Sequence, residues 1–277
     1  MRQIDVIFSL SNLTPESLAE RIKTINYSLE TFYAKQSNIK LKVIIVIQQL
    51  QDETIGGIKI PKHLDVDFVH VKYGVYNKGW SLNVGIRHSN AEYIILADCD
   101  MWCPADYFSS LYEWAQKEKI HWAFAWDLLY YCTEKEKVKL LRGEDMGGEC
   151  HRFLTPPKRG YTEGGLVIFR RESLVKMGGC NEWLQELGGI DSEMIERCMY
   201  FYGPDYKKFR VKVYHLWHPQ KPKSFRPTRT ANVDIIFFMR KNKSANAYLA
   251  KLDFGKPDLP MNLNGELPVL VKSGRVF

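Results

Sequence analysis

Tyr93-Ile94-Ile95-Leu96-Ala97-Asp98-Cys99-Asp100-Met101-Trp102 is a short apolar run that stops at two carboxylates one residue apart. The run is too short for a helix, and its composition favours a buried strand from Tyr93 to Ala97 in the middle of a sheet. Asp98 and Asp100 then stand at the carboxyl end of that strand, the edge along which open α/β sheets bind their ligands. Alternation puts both on the same side, where they can face one divalent cation or a ligand that the cation holds. The competing reading is a strand that merely ends in a polar turn, because Asp-x-Asp alone is a weak signal.

Outward from this stretch the first half alternates strand and helix. Ile4 to Leu10 reads as the first strand. Thr14-Pro15 opens a helix, with Thr as N-cap and Pro at the first helical position. Its stripe is Leu18, Ile22, Ile25, Leu29 and Phe32, spaced by four and three as on a helix packed against a sheet. Leu41 to Ile47 and Val66 to Val71 are strands, and Trp80 to Ser89 carries a helical pattern. Such alternation favours a mostly parallel, doubly wound sheet. In the second half Arg142 to Tyr161 looks like a long connection, Leu166 to Phe169 a short strand, and Asp191 to Met199 a helix. Val211 to Trp217 reads as a strand. Pro219 to Thr230 interleaves Pro, Lys and Arg and is expected to hold no regular structure. Asn232 to Leu252 can close with a helix, and 253–277 is left as an extended arm.

The 277 residues, 45% hydrophobic and 13% aromatic, suffice for one large α/β domain with a small appendage. No apolar run is long enough to cross a membrane, and Met1 to Leu10 is too short for a signal peptide. Cys99, Cys103, Cys132, Cys150, Cys180 and Cys198 contain no Cys-x-x-Cys pair, which argues against a zinc ribbon and a disulfide framework. The expectation is a soluble, cytoplasmic protein with free thiols. Between Tyr206 and Lys243, eleven Lys and Arg residues face one acid, Asp234, within a chain of net charge +7. Such a stripe implies a polyanionic partner (a diphosphate, an acidic glycan or nucleic acid), or else a solvated basic face.

Five segments carry a resemblance. Asn77-Lys78-Gly79-Trp80-Ser81-Leu82-Asn83-Val84-Gly85 precedes the Asp98-Cys99-Asp100 strand end. Glu163-Gly164-Gly165-Leu166, Met177-Gly178-Gly179-Cys180-Asn181-Glu182 and Gly188-Gly189-Ile190-Asp191-Ser192-Glu193 follow, and Tyr214-His215-Leu216-Trp217-His218-Pro219 closes the set. In that order they resemble the GT-A glycosyltransferases, in the branch of the β-1,4-galactosyltransferases, chondroitin synthases and polypeptide N-acetylgalactosaminyltransferases. The resemblance implies a Rossmann-like GT-A domain over residues 1–230 with a C-terminal helix and extended arm over 231–277.

It also implies roles. Lys78, Asn83 and Asp98 would lie near a nucleotide-sugar, expected to be a UDP-sugar. Lys78 stands where the family often has Arg, so a point charge replaces a bidentate fork. Gly85 would permit close helix–strand packing. Asp100 would ligate manganese (or magnesium), with an imidazole from His215 or His218. Residues 215 and 218 of a strand face opposite sides, so only one is expected at the metal unless the chain turns between them, and His215 is the better match. Arg226 and Arg229 would close over the donor diphosphate. Glu163, Gly164 and Gly165 would line the acceptor side with Glu193, and Trp183 or Trp217 would supply a stacking surface unless they are core residues. Asp191 would be the general base of an inverting transfer, unless it is only a helix cap. Leu187 and Ile190 depart from the family pattern beside that base, which points to a different acceptor. The expected activity is metal-dependent sugar transfer to a hydroxyl acceptor, a glycan or another, polyanionic, molecule. A nucleotidyltransferase of related fold, or a polyanion-binding protein such as one acting on nucleic acid, is the alternative.

Overall fold

The decisive stretch forms a fully buried strand with the anticipated bounds. In the computed structural model, β1 (Gln3–Ser11), α1 (Pro15–Thr31), β2 (Lys40–Gln48), β3 (Asp65–Val71), α2 (Lys78–His88) and β4 (Tyr93–Ala97) make the first half. The structure describes residues 2–11, 15–31, 33, 38–48, 55–72, 76–104, 106–142, 144, 152–154, 165–185, 188–218 and 226–257. β1 pairs in parallel with both β2 and β4, and β2 with β3. Ile4, Val6, Ile7, Val43, Ile44, Ile45, Ile94 and Ile95 are fully buried, so the continuous β-branched runs of these strands are explained by cover on both faces. α2 crosses this layer closely. A Cβ on Gly85 would come within 2.4 Å of Ile7 Cγ2, which is why the helix has no side chain there.

The second half builds what the sequence pattern left unassigned. It runs β5 (Met101–Trp102), α3 (Tyr107–Glu118), β6 (Trp122–Phe124), β7 (Leu128–Tyr131), α4 (Glu134–Leu141), β8 (Arg152–Leu154), β9 (Leu166–Arg170), α5 (Arg171–Lys176), α6 (Ile190–Tyr202), β10 (Lys207–Lys208) and β11 (Lys212–His215). The large sheet has the order β10-β6-β9-β4-β1-β2-β3, and a smaller one has the order β5-β11-β7-β8. The large sheet is mixed, because β9 runs antiparallel to both β4 and β6. The strand order reverses at β1 and β4, a switch point that opens a crevice at their carboxyl ends. β5 directly follows the Asp98-Cys99-Asp100 edge and pairs with β11, so the small sheet is hung on that edge of the large one.

α7 (Arg226–Lys241) and α8 (Lys243–Leu249) follow. The boundary expected at 230/231 falls inside α7, and so does the end of the stretch expected to be irregular. Pro227 lies in the first helical turn, where a missing N–H removes no intrahelical bond, so Pro does not prevent the helix. Asn232 on α7 donates to the carbonyls of Gln185 and Gly188 and accepts from Gln185 N, tying the helix to the loop before α6. The start of the arm is also tied down. Trp80 Nε1 donates to Lys256 O at 2.6 Å, and Gly255 N donates to Glu182 Oε1 at 2.6 Å. Cys99, Cys103, Cys132, Cys180 and Cys198 are buried free thiols, and Cys150 lies outside the described residues. No helix among the described residues is long and apolar enough to cross a membrane.

Candidate active site

At the carboxyl end of β4 three ionic side chains form a row. Asp98 is held by its own backbone, whose N–H donates to Gly165 O at 2.9 Å. Gly165 adopts φ +61, a left-handed conformation that suits glycine, immediately before β9. Lys78, the first residue of α2, reaches Asp98 Oδ1 at 2.8 Å and Asp191 Oδ1 at 3.5 Å. The helix start that aims it is fixed by Asn77, whose side chain caps Trp80 N. Burial alone would lower the Lys78 ammonium, but Asp191 and Asp98 outweigh it and hold its pKa well above the ordinary lysine range. Asp191 stands in the first turn of α6, behind a left-handed Gly189 N-cap. Lys78, Asp98, Gly165 and Asp191 line a narrow pocket floored by Leu82, Leu96, Ala97, Val167, Ile190 and Met194.

Asp100 faces a second cluster. Its Oδ1 lies 3.4 Å from His215 Nε2, and its Oδ2 lies 3.3 Å from His218 Nε2. Both histidines therefore meet the same carboxylate, the case expected if the chain turns between them. β11 ends at His215, and Leu216 N donates to Asp100 O at 2.8 Å, so the chain leaves the strand before 218. The strand-parity argument fails because the strand is too short for it. His215 also stacks on Tyr131, with centroids 4.9 Å apart. One ligand atom from each of Asp100, His215 and His218 falls within 4.8 Å of the others.

The charge balance of this cluster depends on α1. Arg21 Nη1 donates to Asp100 Oδ2 at 3.0 Å. Burial would raise the Asp100 carboxyl, but His215, Arg21 and His218 outweigh it and bring its pKa down to about 2. Oδ1 is the buried side-chain polar atom that lacks a hydrogen-bond partner among the described residues. It is within ion-pair distance of His215 without a hydrogen bond to it. A carboxylate with one oxygen left in this state and an imidazole beside each oxygen fits a divalent cation, which would satisfy all three groups at once.

Arg21 is a functional candidate that sequence reasoning missed. Its signal, a cation on the helix that faces the sheet edge, was indistinguishable from an ordinary polar helix face.

Other candidates turn away from the site. Asn83 is fully buried, and its amide is consumed by Cys180 N, Cys180 O and Glu182 Oε1. It joins α2 to the Met177–Glu182 turn instead of reaching a nucleotide. Glu193 is buried in a bidentate pair with Arg197, at 2.9 and 3.2 Å, so it does not face an acceptor. Trp183 packs with Met239 and Leu249 and stacks on Tyr248, which leaves it no free face for a sugar. Glu163 and Gly164 lie outside the described residues, as do the side chains of Arg226 and Arg229. Within the basic stripe, Lys207 pairs with Glu118, Lys208 with Asp127 and Arg240 with Glu196. Acids from distant parts of the chain thus neutralise cations that looked unopposed in sequence.

These features can be set beside known proteins. Two solved structures can be superposed on this chain. Staphylococcus aureus TarS (residues 1–349, in complex with UDP-GlcNAc) superposes with a TM-score of 0.51 at 10% identity, covering 91% of this chain and 68% of that one. The catalytic domain of Drosophila β1,4-galactosyltransferase 7, in complex with xylobiose, gives a TM-score of 0.41 at 14% identity, covering 83% and 80%. Comparison with curated proteins by sequence finds none that matches. The sequence model of glycosyl transferase family 2 matches residues 21–178, a span that begins at Arg21 and contains Lys78, Asp98 and Asp100. That match covers more than half of the chain, and with a sheet of GT-A type it identifies the protein as a glycosyltransferase belonging to glycosyl transferase family 2.

Proposed function

We propose that this enzyme transfers a sugar from a UDP-sugar to a hydroxyl of an acceptor glycan, with inversion at the anomeric carbon and with a divalent transition ion. The observation that carries the reading is Asp100 Oδ1, buried and without a hydrogen-bond partner among the described residues, at ion-pair distance from His215. Asp100, His215 and His218 would hold the ion. Two imidazoles beside one carboxylate suit manganese better than magnesium, which prefers an all-oxygen shell. When bound, the ion supplies positive charge against the diphosphate that leaves. The UDP-GlcNAc bound to TarS is a precedent for a UDP-sugar donor in this fold.

The chain's own groups account for the remaining chemistry. Lys78, at the donor end of α2, offers a cation to the diphosphate beside Asp98. The acceptor hydroxyl oxygen attacks the anomeric carbon as the bond from that carbon to the diphosphate oxygen breaks. Its proton passes to the Asp191 carboxylate, and UDP departs. The N-terminal turn of α6 favours a carboxylate in this place. That Lys78, Asp98 and Asp191 line one pocket supports this reading.

The test is a panel of nucleotide-sugars incubated with purified protein and Mn2+, scored for nucleotide release. Release of UDP from one donor, abolished by chelation and restored by Mn2+, is the expected result. Release that is indifferent to chelation would remove the metal from the reading. Pyrophosphate in place of UDP would instead indicate nucleotidyl transfer.

A further inference from the structure

Lys137 is a buried ammonium on α4, remote in sequence from every residue of the site. Its Nζ donates to Glu20 Oε1 at 2.6 Å, to Thr24 Oγ1 at 2.9 Å and to Trp217 O at 3.2 Å. An ammonium has three donors, and all three are used. Two anchor it to α1, the helix that also carries Arg21. The third holds the carbonyl of the peptide bond that leads into His218.

The place of that carbonyl matters. The chain from His215 to His218 must leave β11 and return an imidazole to Asp100. Cys132 N donates to His215 O at 2.9 Å, and Leu216 N donates to Asp100 O at 2.8 Å, which fixes the first part of the turn through backbone. The Trp217 carbonyl is held by a side chain, Lys137, and its orientation sets that of the following His218. A part-buried ion pair is a poor device for stability, since the cost of desolvating its charges offsets much of their attraction. It is a good device for fixing one geometry.

Resting on the reading of Asp100, His215 and His218 as ion ligands, we propose that Lys137 is a positioning residue for His218, and that it makes the site a two-imidazole centre. Without it, Asp100 and His215 remain, but the 217–218 peptide is released and the second imidazole is no longer directed at the carboxylate.

The test combines Mn2+ titration with pulsed electron paramagnetic resonance, which counts the imidazole nitrogens coupled to the bound ion. Wild type is expected to show two, and Lys137→Met to show one, with Mn2+ affinity reduced about tenfold, at the lower end of what loss of a supporting group costs a metal site. Leu111→Ala, which removes core packing from α3 and does not touch this turn, serves as the stability control and is expected to keep two. Two imidazoles and unchanged affinity in Lys137→Met would overturn the proposal while leaving the metal reading intact. A wild type that binds no Mn2+ would overturn both. If Lys137→Met does not fold, Glu20→Gln weakens the same anchor with little change of shape. It should lower Mn2+ affinity in the same direction, and an unaltered affinity and imidazole count would again overturn the proposal.

Discussion

Asp191 shows how much one carboxylate's surroundings decide. It is part-exposed, lies 3.5 Å from Lys78 Nζ, and contributes little to packing, so its replacement should leave the fold alone. Asp191→Asn keeps the shape and the helix position but cannot accept a proton. Donor affinity should therefore stay near wild type while transfer falls by about 10²–10⁴-fold, the usual worth of a general base. The measurement is kcat for transfer beside calorimetric UDP binding. Near-normal turnover would reduce Asp191 to a residue of the first helical turn. Glu193, only two positions on, is its opposite. It is buried and bonded to Arg197, which also donates to Met177 O at 2.7 Å. Glu193→Ala would strand a buried guanidinium and should cost about 3–5 kcal/mol, with little change in acceptor KM for the protein that remains folded. Thermal unfolding and KM together separate this outcome from an acceptor-binding role, which would show the reverse pattern.

At the scale of elements, legibility followed length. β1, β2 and β4 were visible because a strand buried on both faces writes a continuous apolar run. α1, α2 and α6 were visible because apolar stripes, Gly turns and the Thr-Pro start of α1 are local signals, although the Asn77 start of α2 was not read. The small sheet was not visible, since strands such as Met101–Trp102 and Leu128–Tyr131 are too short to show a period. The length of β11 decided the most. Reading it through Trp217 placed the histidines on opposite faces, whereas its true end at His215 lets them converge. That end is set by Leu216 N bonding to Asp100 O, between residues more than a hundred positions apart, and no local pattern encodes it. α7 erred in the other direction. A Pro-rich basic stretch looked irregular, yet helix geometry tolerates Pro in the first turn.

Across the whole molecule, the last described residues close back on the first half. Arg87 donates to Phe254 O and pairs with Asp253, while Gly255 sits at φ +67 against α2. A Cβ on Gly255 would meet Asn83 O at 2.5 Å. Gly255→Ala should thus displace the arm, at a cost of about 1–3 kcal/mol from backbone strain and lost contact. Because none of the described residues of the arm is part of the Asp98–Lys78–Asp191 row, kcat below the unfolding transition should be retained. A thermal scan and an activity assay at low temperature test both halves of that statement, and an unshifted midpoint would show that the contact is expendable.

The sequence by itself determined the α/β class, the central strand with its two terminal carboxylates, the order of the five motif segments and Asp191 at a helix start. Each of these is written in neighbouring residues, through side-chain periodicity, caps and turns. Tertiary structure alone decided which side chains face the site. It turned Asn83, Trp183 and Glu193 inward: the first two find partners on elements distant in sequence, and Glu193 pairs with Arg197 of its own helix, which in turn is held by Met177 O. It also brought Arg21, Lys137 and both histidines to Asp100 and its surroundings. Whether a charged residue meets water, an ion or a buried partner depends on what the fold lays against it, and that is a property of contacts between elements.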